Sequence, residues 1–402
     1  MPSCVIIVEN LPVPFDRRVW QEANALRAAG WSVSVICPKS EQHFLSFEVI
    51  DGIEIFRHTL PMEASRRFGF LAEYGAALFH EMRLLFKVWR RSGFHVIQGC
   101  NPPDLIFLVA LPFKLLGKKY VFDHHDVCPE LFEAKFGRRG LFYRLLCQAE
   151  KLTFRCADLV ISANETYRGL AISRGGKNPN DVVTVYSVPD RSRMRRVAEN
   201  SALRAGARLV LGYIGIIGEQ DGVDHMVRCV HHLTAEGQHA DIRAVVAGDG
   251  PALPAVRALA VELGVAERIT FTGYLRGESL LAAISTFDIG IIPDPVNEYN
   301  DKISMNKVFE YSAFGIPSVS YPLTETRRLL GDAGTYAAGA MPADLARACE
   351  PLIVDDSLRQ ERGAAAKALA DATFDWDCEA KKFVEAYARL IPPGAPRLAV
   401  QP

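Results

Sequence analysis

The residues with the most chemical potential follow runs of apolar residues. Ser304-Met-Asn-Lys-Val-Phe-Glu-Tyr311 places a cation, Lys307, three residues before a carboxylate, Glu310. That spacing puts both on one helix face. Ser304 is suited to cap a helix that starts near Met305. A lysine in the first helical turn opposes the macrodipole unless an anion lies there, and a diphosphate would be such an anion. Glu310, one turn deeper, can accept two hydrogen bonds from ribose hydroxyls, each worth about 1.5–3 kcal/mol to a charged acceptor. The plainer reading is a surface ion pair between the two, worth a few tenths of a kcal/mol. Asp301, Met305 and Asn306 lie in the same loop and helix start.

Two glycine-rich turns precede this stretch: Gly215-Ile-Ile-Gly218-Glu-Gln220-Asp-Gly222 and Gly248-Asp-Gly250-Pro251. Glycines at a strand-to-helix turn let backbone N–H groups approach a phosphate at a helix N-terminus. They serve equally well as packing turns. Neither fits the dinucleotide fingerprint Gly-x-Gly-x-x-Gly, which disfavours a nicotinamide dehydrogenase. Tyr274, after Gly273, offers a face against which a base can lie.

In the first half, His124 and His125 stand between Asp123 and Asp126 at the end of an apolar run. Such a cluster serves proton chemistry at a strand end, structural hydrogen bonding, or a metal. In Leu11-Pro-Val-Pro-Phe-Asp16-Arg17-Arg18, Asp16 is placed as an N-cap. Arg17 and Arg18 are expected to face a cleft mouth or solvent, where they would hold an anionic acceptor.

These residues need elements to position them, and the pattern supplies alternating strands and helices throughout. Apolar runs at 4–8, 32–37, 95–98, 119–123, 158–162 and 182–186 alternate with helical periodicity near 16–29, 68–92, 103–116, 138–156 and 164–174. Strands at 209–214, 243–248, 269–272, 287–292 and 316–321 alternate with helices near 221–236, 252–264, 278–285, 306–314 and 342–370. The order argues parallel sheets covered on both faces. A chain of 402 residues exceeds what one hydrophobic core usually serves. The charge divides too: residues 1–200 carry 27 basic and 21 acidic side chains, a net of +6, and the remainder a net of −7. Domains are expected at 1–190 and 207–372, with a hinge at 191–206 beginning in the basic run Arg191-Ser-Arg-Met-Arg-Arg196. No aromatics interleave with those charges, which argues against nucleic acid.

No apolar run approaches the roughly 20 residues a membrane span needs. The N-terminus reads as a buried strand without a basic leader or cleavage site. Nine scattered cysteines, with no Cys-x-x-Cys pair, read as reduced and mostly buried thiols. Residues 66–91 carry six basic and two acidic side chains. Apolar residues Phe70, Leu71, Tyr74, Leu78, Met82, Leu85 and Trp89 recur there at helical spacing. With Arg138, Arg139 and Arg144 nearby in sequence, such a helix can lie on anionic lipid. Asp375-Trp-Asp377 reads as the N-cap of a final helix, and residues 392–402 as a frayed tail.

The stretch 304–317, with Lys307, Glu310, Gly315 and Pro317, resembles the nucleotide-sugar motif of family 4 glycosyltransferases. Tyr213–Asp224, Ala247–Pro251 and Phe271–Gly273 resemble the same family in the same order. Phe122-Asp-His-His-Asp-Val-Cys-Pro-Glu-Leu-Phe132 and Asp16-Arg-Arg-Val-Trp-Gln-Glu22 are similar to a branch found in bacterial surface-polysaccharide clusters. The resemblance implies the GT-B fold, with two Rossmann-like domains facing a central cleft. It also implies a final helix at 373–391 crossing back to the N-terminal domain. The implied activity is retaining transfer from a nucleotide-diphospho-sugar to a saccharide acceptor, expected to be lipid-linked, in surface polysaccharide or glycoconjugate synthesis.

In that reading His125, Asp126, Lys307 and Glu310 act at the reaction centre. Gly215, Gly218, Gln220, Gly248, Gly250, Tyr274, Asp301, Ser304, Met305 and Asn306 hold the donor. Asp16, Arg17 and Arg18 hold the acceptor. No metal or other cofactor is implied, and the expected place is the cytoplasm at the inner face of the cell membrane, with the N-terminal domain touching it. The family has a first carboxylate where this chain has Lys302. It often has an Arg and a Lys where this chain has Ile216 and Asp221. Two rival readings are a non-catalytic nucleotide-sugar-binding protein and a GT-B sugar-nucleotide epimerase.

Overall fold

A computed structural model describes residues 1–59, 67–191, 193–236 and 239–391. Two units emerge from the contacts within the chain. One comprises Met1–Ser187 together with the segment from Asp377, and the other Val188–Trp376.

The first unit runs β1 (Ser3–Val8), α1 (Arg17–Ala28), β2 (Ser32–Pro38), β3 (Phe47–Ile50), β4 (Ile53–His58), α2 (Arg67–Arg91), β5 (Val96–Cys100), α3 (Phe107–Leu115), β6 (Lys119–His124), α4 (Cys128–Phe136), α5 (Leu141–Cys156), β7 (Leu159–Ser162), α6 (Glu165–Ser173) and β8 (Val182–Thr184). Its strands form one sheet in the order β3-β4-β2-β1-β5-β6-β7-β8. Every pairing is parallel except β3 with β4. That antiparallel hairpin turns at Asp51-Gly52, a strong hairpin dipeptide whose two residues have φ of 50° and 78°. The helical reading of the pattern passed over both the hairpin and α4. The core includes Val5, Ile7, Ile97, Phe122 and Val160 of the strands, and Leu85 and Val88 of α2.

The second unit runs α7 (Ser201–Arg204), β9 (Leu209–Ile214), α8 (Val223–His231), β10 (Ile242–Ala247), α9 (Leu253–Glu262), β11 (Ile269–Gly273), α10 (Gly277–Ser285), β12 (Ile289–Ile292), α11 (Asn306–Ala313), β13 (Ser318–Ser320), α12 (Thr324–Leu330), β14 (Thr335–Tyr336), α13 (Pro342–Val354) and α14 (Asp356–Thr373). Its sheet is wholly parallel, in the order β11-β10-β9-β12-β13-β14. The single helix expected over 342–370 is two, broken at Asp355, whose side chain caps α14 at Leu358 N.

The last helix, α15 (Trp376–Leu390), packs in the first unit. Glu379 accepts from Tyr186 N at 3.0 Å, and the Tyr387 ring meets Trp31 edge-on at 5.4 Å. In the basic run at 191–196, Arg193, Arg195 and Arg196 are exposed. Arg191 pairs with Asp371, Arg195 with Glu278, and Arg196 donates to Phe314 O at 2.7 Å. These side chains stitch the segment onto the second unit. Arg66, Ser192 and the tail 392–402 lie outside the described residues, as do the side chains of Phe70, Leu71 and Tyr74. All nine cysteines are free, five of them buried. Among the described residues no helix is long and apolar enough to cross a membrane.

In open parallel sheets the carboxyl ends of the strands, where the order reverses, are the usual ligand site. Here these points lie beside β1/β5 in the first unit and β9/β12 in the second. The loops at 9–16, 101–106, 215–222 and 293–305 meet them.

Candidate functional sites

In the second unit α11 is held beneath β9 and β12 by Tyr311. Its buried hydroxyl accepts from Ile214 N at 3.2 Å and lies 3.2 Å from Gly212 O. Val308, Phe309 and Tyr311 face the core, which leaves Asn306 exposed and Glu310 half-buried. The first turn of α11 therefore opens at the sheet's switch point. The helix begins at Asn306 with Met305 in the cap position and no side-chain cap. Ser304 is not the cap that its sequence position implied; its hydroxyl lies 3.5 Å from Glu325. No side chain caps this turn; Val308 N donates to Met305 O at 3.0 Å, which leaves the N–H groups of Asn306 and Lys307 for an anion.

Lys307 does not point into that opening as an unpaired cation. It is buried, donates to Asp294 Oδ1 and Oδ2 at 2.9 and 2.7 Å, and lies 5.2 Å from the Tyr213 ring centroid. Nor does it pair with Glu310. A partner on the β12–α11 loop outcompetes the helical neighbour because Asp294 is itself buried and needs a cation. Asp294 is a partner that spacing did not reveal; its signal in the sequence was a carboxylate between two prolines at a strand end.

The glycine turns also read differently in three dimensions. Gly215 N donates to Ala247 O at 3.2 Å, Ile217 N to Asp249 O at 3.0 Å, and Gly218 N to Asp221 Oδ2 at 2.8 Å. Those three amides are therefore bonded within the turns, so a phosphate expected at Gly215 and Gly218 would not be met by these N–H groups as they stand. A Cβ on Gly248 would lie 1.8 Å from Gly215 O, and one on Gly250 2.5 Å from Ile217 O. The two turns need glycine because they pack directly on each other. Ile216, exposed, makes none of these bonds. Gln220 lies over Gly218, and its carbonyl accepts from Asn300 at 3.1 Å. Asp301 accepts from Thr324 N and Oγ1 at 2.8 and 2.9 Å, and Lys302 pairs with Glu298. Tyr274 is exposed, with the Arg276 guanidinium 4.9 Å from its ring centroid.

In the first unit, β6 delivers Asp123 and His124 to its carboxyl end, with His125 and Asp126 just beyond. The adjacent histidines take opposite fates because successive strand residues face opposite ways. His124 is fully buried among Phe122, Phe154 and Tyr167. Burial first, then the Arg174 and His125 charges, push it down to about 3, so it is a neutral core residue. His125 instead turns its Nε2 to Asp123 Oδ2 at 2.5 Å. An ionised carboxylate only accepts, so Nε2 carries the hydrogen between the two groups. Asn101, following β5, grips the next backbone. Its Oδ1 accepts from His125 N at 2.6 Å and Asp126 N at 3.1 Å, and its Nδ2 donates to Asp126 O at 2.6 Å. Asp126 Oδ1 accepts from Val127 N at 3.0 Å.

Asp16 caps α1, accepting from Val19 N at 3.1 Å. Arg17 donates to Ser187 O at 3.4 Å. Arg18 corrects an expectation, being buried rather than turned to solvent. Its Nη2 lies 2.9 Å from Asp123 Oδ1, its Nε 3.0 Å from Glu22 Oε1, and its Nη1 2.7 Å from Val185 O. Burial alone would raise the Asp123 carboxyl, but Arg18 and His125 hold it well below the usual carboxylate range. Glu22 moves the other way, pushed up by burial and by the Asp123 charge. Among the described residues, ligand atoms of Glu22, Cys100, Asp123 and His125 lie within 4.8 Å of one another. Arg18 already lies against both carboxyl groups of that cluster.

Comparison with known proteins follows the same division. Residues 16–189 match the family profile described as glycosyl transferase 4-like domain, and residues 208–355 the one described as glycosyl transferases group 1. The 2-deoxystreptamine glucosyltransferase of Streptomyces kanamyceticus is 25% identical over 314 residues, covering 75% of this chain and 79% of that protein. Sucrose-phosphate synthase from Thermosynechococcus elongatus superimposes with a TM-score of 0.79 at 15% identity, covering 97% of this chain and 99% of that one. Anabaena HepE, solved with UDP and glucose, gives 0.73 at 15% identity, covering 97% and 100%.

Proposed function

The chain belongs to the group 1 glycosyl transferases and is a glycosyltransferase of the GT-B fold; from that premise we propose a retaining enzyme that moves a sugar from a nucleotide-diphospho-sugar to a lipid-linked saccharide in surface-polysaccharide or glycoconjugate synthesis. The observation that carries the donor assignment is the uncapped first turn of α11 at the β9/β12 switch point, with Glu310 one turn deeper. The diphosphate lies on that turn. Glu310 accepts from the sugar-nucleotide hydroxyls, and Asn306, Ser304, Gln220 and Tyr274 border the same strand ends. Lys307 serves as half of a neutral pair that fixes the β12–α11 loop. The overall −7 charge of this half would repel a diphosphate, so the attraction is local and comes from backbone dipoles.

His125 and Asp126 act in the first unit. Nδ1 of His125, with its tautomer set by Asp123, meets the transferred sugar, and Arg17 meets an anionic acceptor. Same-face displacement leaves the departing diphosphate to take the acceptor proton. The reading assigns no metal to the reaction.

A lipid-linked acceptor requires a protein that works at a bilayer surface. Support comes from three adjacent helices of the first unit, α2, α3 and α5. They expose Phe79 and Phe86, Leu108, Leu111 and Leu115, and Leu145. Arg83, Lys87, Arg144 and Lys151 lie among them, and the acidic side chains described on these helices, Glu81 and Glu150, are both buried. Exposed apolar and basic side chains such as these suit the cytoplasmic, anionic face of a membrane, at about 1 kcal/mol per basic residue.

The test is a thermal-shift screen over nucleotide-diphospho-sugars followed by transfer assays on lipid-linked saccharides. A donor at 100 times its Kd stabilises by about 2.7 kcal/mol. Binding without transfer to any acceptor would overturn the enzymatic reading of this site, and the absence of any stabilising sugar nucleotide would overturn the donor site.

A further inference from the structure

Resting on the assignment of His125 above, we infer that Tyr387 of the final helix is a positioning residue for His125, acting through Gln98 and Asp123. The Tyr387 hydroxyl donates to Gln98 Oε1. Gln98 Nε2 donates to Asp123 Oδ2 at 3.0 Å and to Glu22 Oε2 at 2.6 Å. Asp123 Oδ2 receives His125 Nε2. Tyr387, Gln98, Asp123 and Glu22 are all fully buried.

The chain has a direction. The Cys4 thiol lies 3.8 Å from the Tyr387 oxygen as a donor, which leaves the hydroxyl hydrogen for Gln98. With its oxygen taken, the Gln98 amide has one orientation, and its nitrogen faces both carboxylates. Reversed, the amide would set its oxygen against Asp123 and Glu22. Asp123 is thereby held where it orients the His125 ring and keeps the hydrogen on Nε2. Partners of this second layer commonly set the tautomer and orientation of a histidine. Gln98 lies at the centre of the sheet and Tyr387 near the end of the chain, so the network closes only when α15 has docked.

The Tyr387 ring packs against Trp31 and Phe383, so Tyr387→Phe removes the hydroxyl and keeps the packing. The experiment uses the full chain with ¹⁵N-labelled histidine, the His125 ring signals being assigned by their loss in His125→Gln. Tyr387→Phe is expected to shift the His125 ring nitrogens toward a mixture of tautomers. It is also expected to lower kcat about tenfold with both KM values and the melting temperature unchanged. Gln98→Met should do the same, and the double variant should add nothing further, since both break one chain. Unchanged His125 signals in both variants, or effects that add, would overturn the inference. Full kcat in His125→Gln would instead overturn the role given to His125, while the ring signals still decide the wiring.

Discussion

Lys307 and Asp294 form a buried ion pair in which one ammonium meets both carboxylate oxygens, at 2.9 and 2.7 Å. Removing one member strands the other's charge away from water, at about 3–5 kcal/mol. Lys307→Ala should therefore lose that much stability in urea unfolding. Lys307→Met combined with Asp294→Asn should recover most of it without restoring full transfer. A single Lys307→Ala variant as stable as the parent would contradict the pairing.

Glu310 is half-buried beside the open helix start, where water can replace a truncated side chain. Glu310→Ala should retain the parent's melting temperature and lose about 10²–10³ in kcat, the usual scale for one preorganised polar contact in a transition state. Parallel thermal melts and transfer assays check both halves of this statement. Turnover at the parent's rate would remove Glu310 from the site.

Gly248 abuts the Gly215 carbonyl so closely that a methyl group cannot be placed without moving one of the two turns. Gly248→Ala should lower stability by about 1–3 kcal/mol, in the range of overpacking. Gly140→Ala, where a Cβ meets nothing within 4 Å, is the control. Equal stability in the two variants would show that the turns are not locked together.

Glu81 of α2 is buried with neither oxygen hydrogen-bonded, and burial pushes its carboxyl up to about 8 from an ordinary 4.5. Between those values the folded chain holds a proton that the unfolded chain has released. This group therefore makes stability fall as pH rises through that window, by up to about 1.4 kcal/mol per unit. Glu81→Gln should match the parent near pH 4.5 and exceed it at pH 8 in urea unfolding. Parallel pH profiles for the two proteins would refute the assignment.

Leu111 and Leu115 are exposed on α3 within this apolar and basic surface. The double change Leu111→Asp, Leu115→Asp should release the protein from vesicles rich in phosphatidylglycerol in a flotation assay, with the fold intact by circular dichroism. Flotation equal to the parent's would exclude this face as the contact.

Much of this protein is written in local pattern. Period-2 and period-3.6 apolar runs located most strands and helices, because burial on one face is a property of neighbouring residues. The Lys307–Glu310 helix and the His125–Asp126 strand end were visible for the same reason, and Asp16 was readable as a cap because capping spans three residues. Partnership was not visible. Lys307 chooses Asp294 thirteen residues earlier, Arg18 chooses Asp123, and Tyr387 meets Gln98 from 289 residues away. Those choices depend on which strands lie side by side and which charges lose water together. Only the folded chain sets both, so the tertiary structure decided that Lys307 is paired, that His124 is core, and that the glycine turns pack on each other.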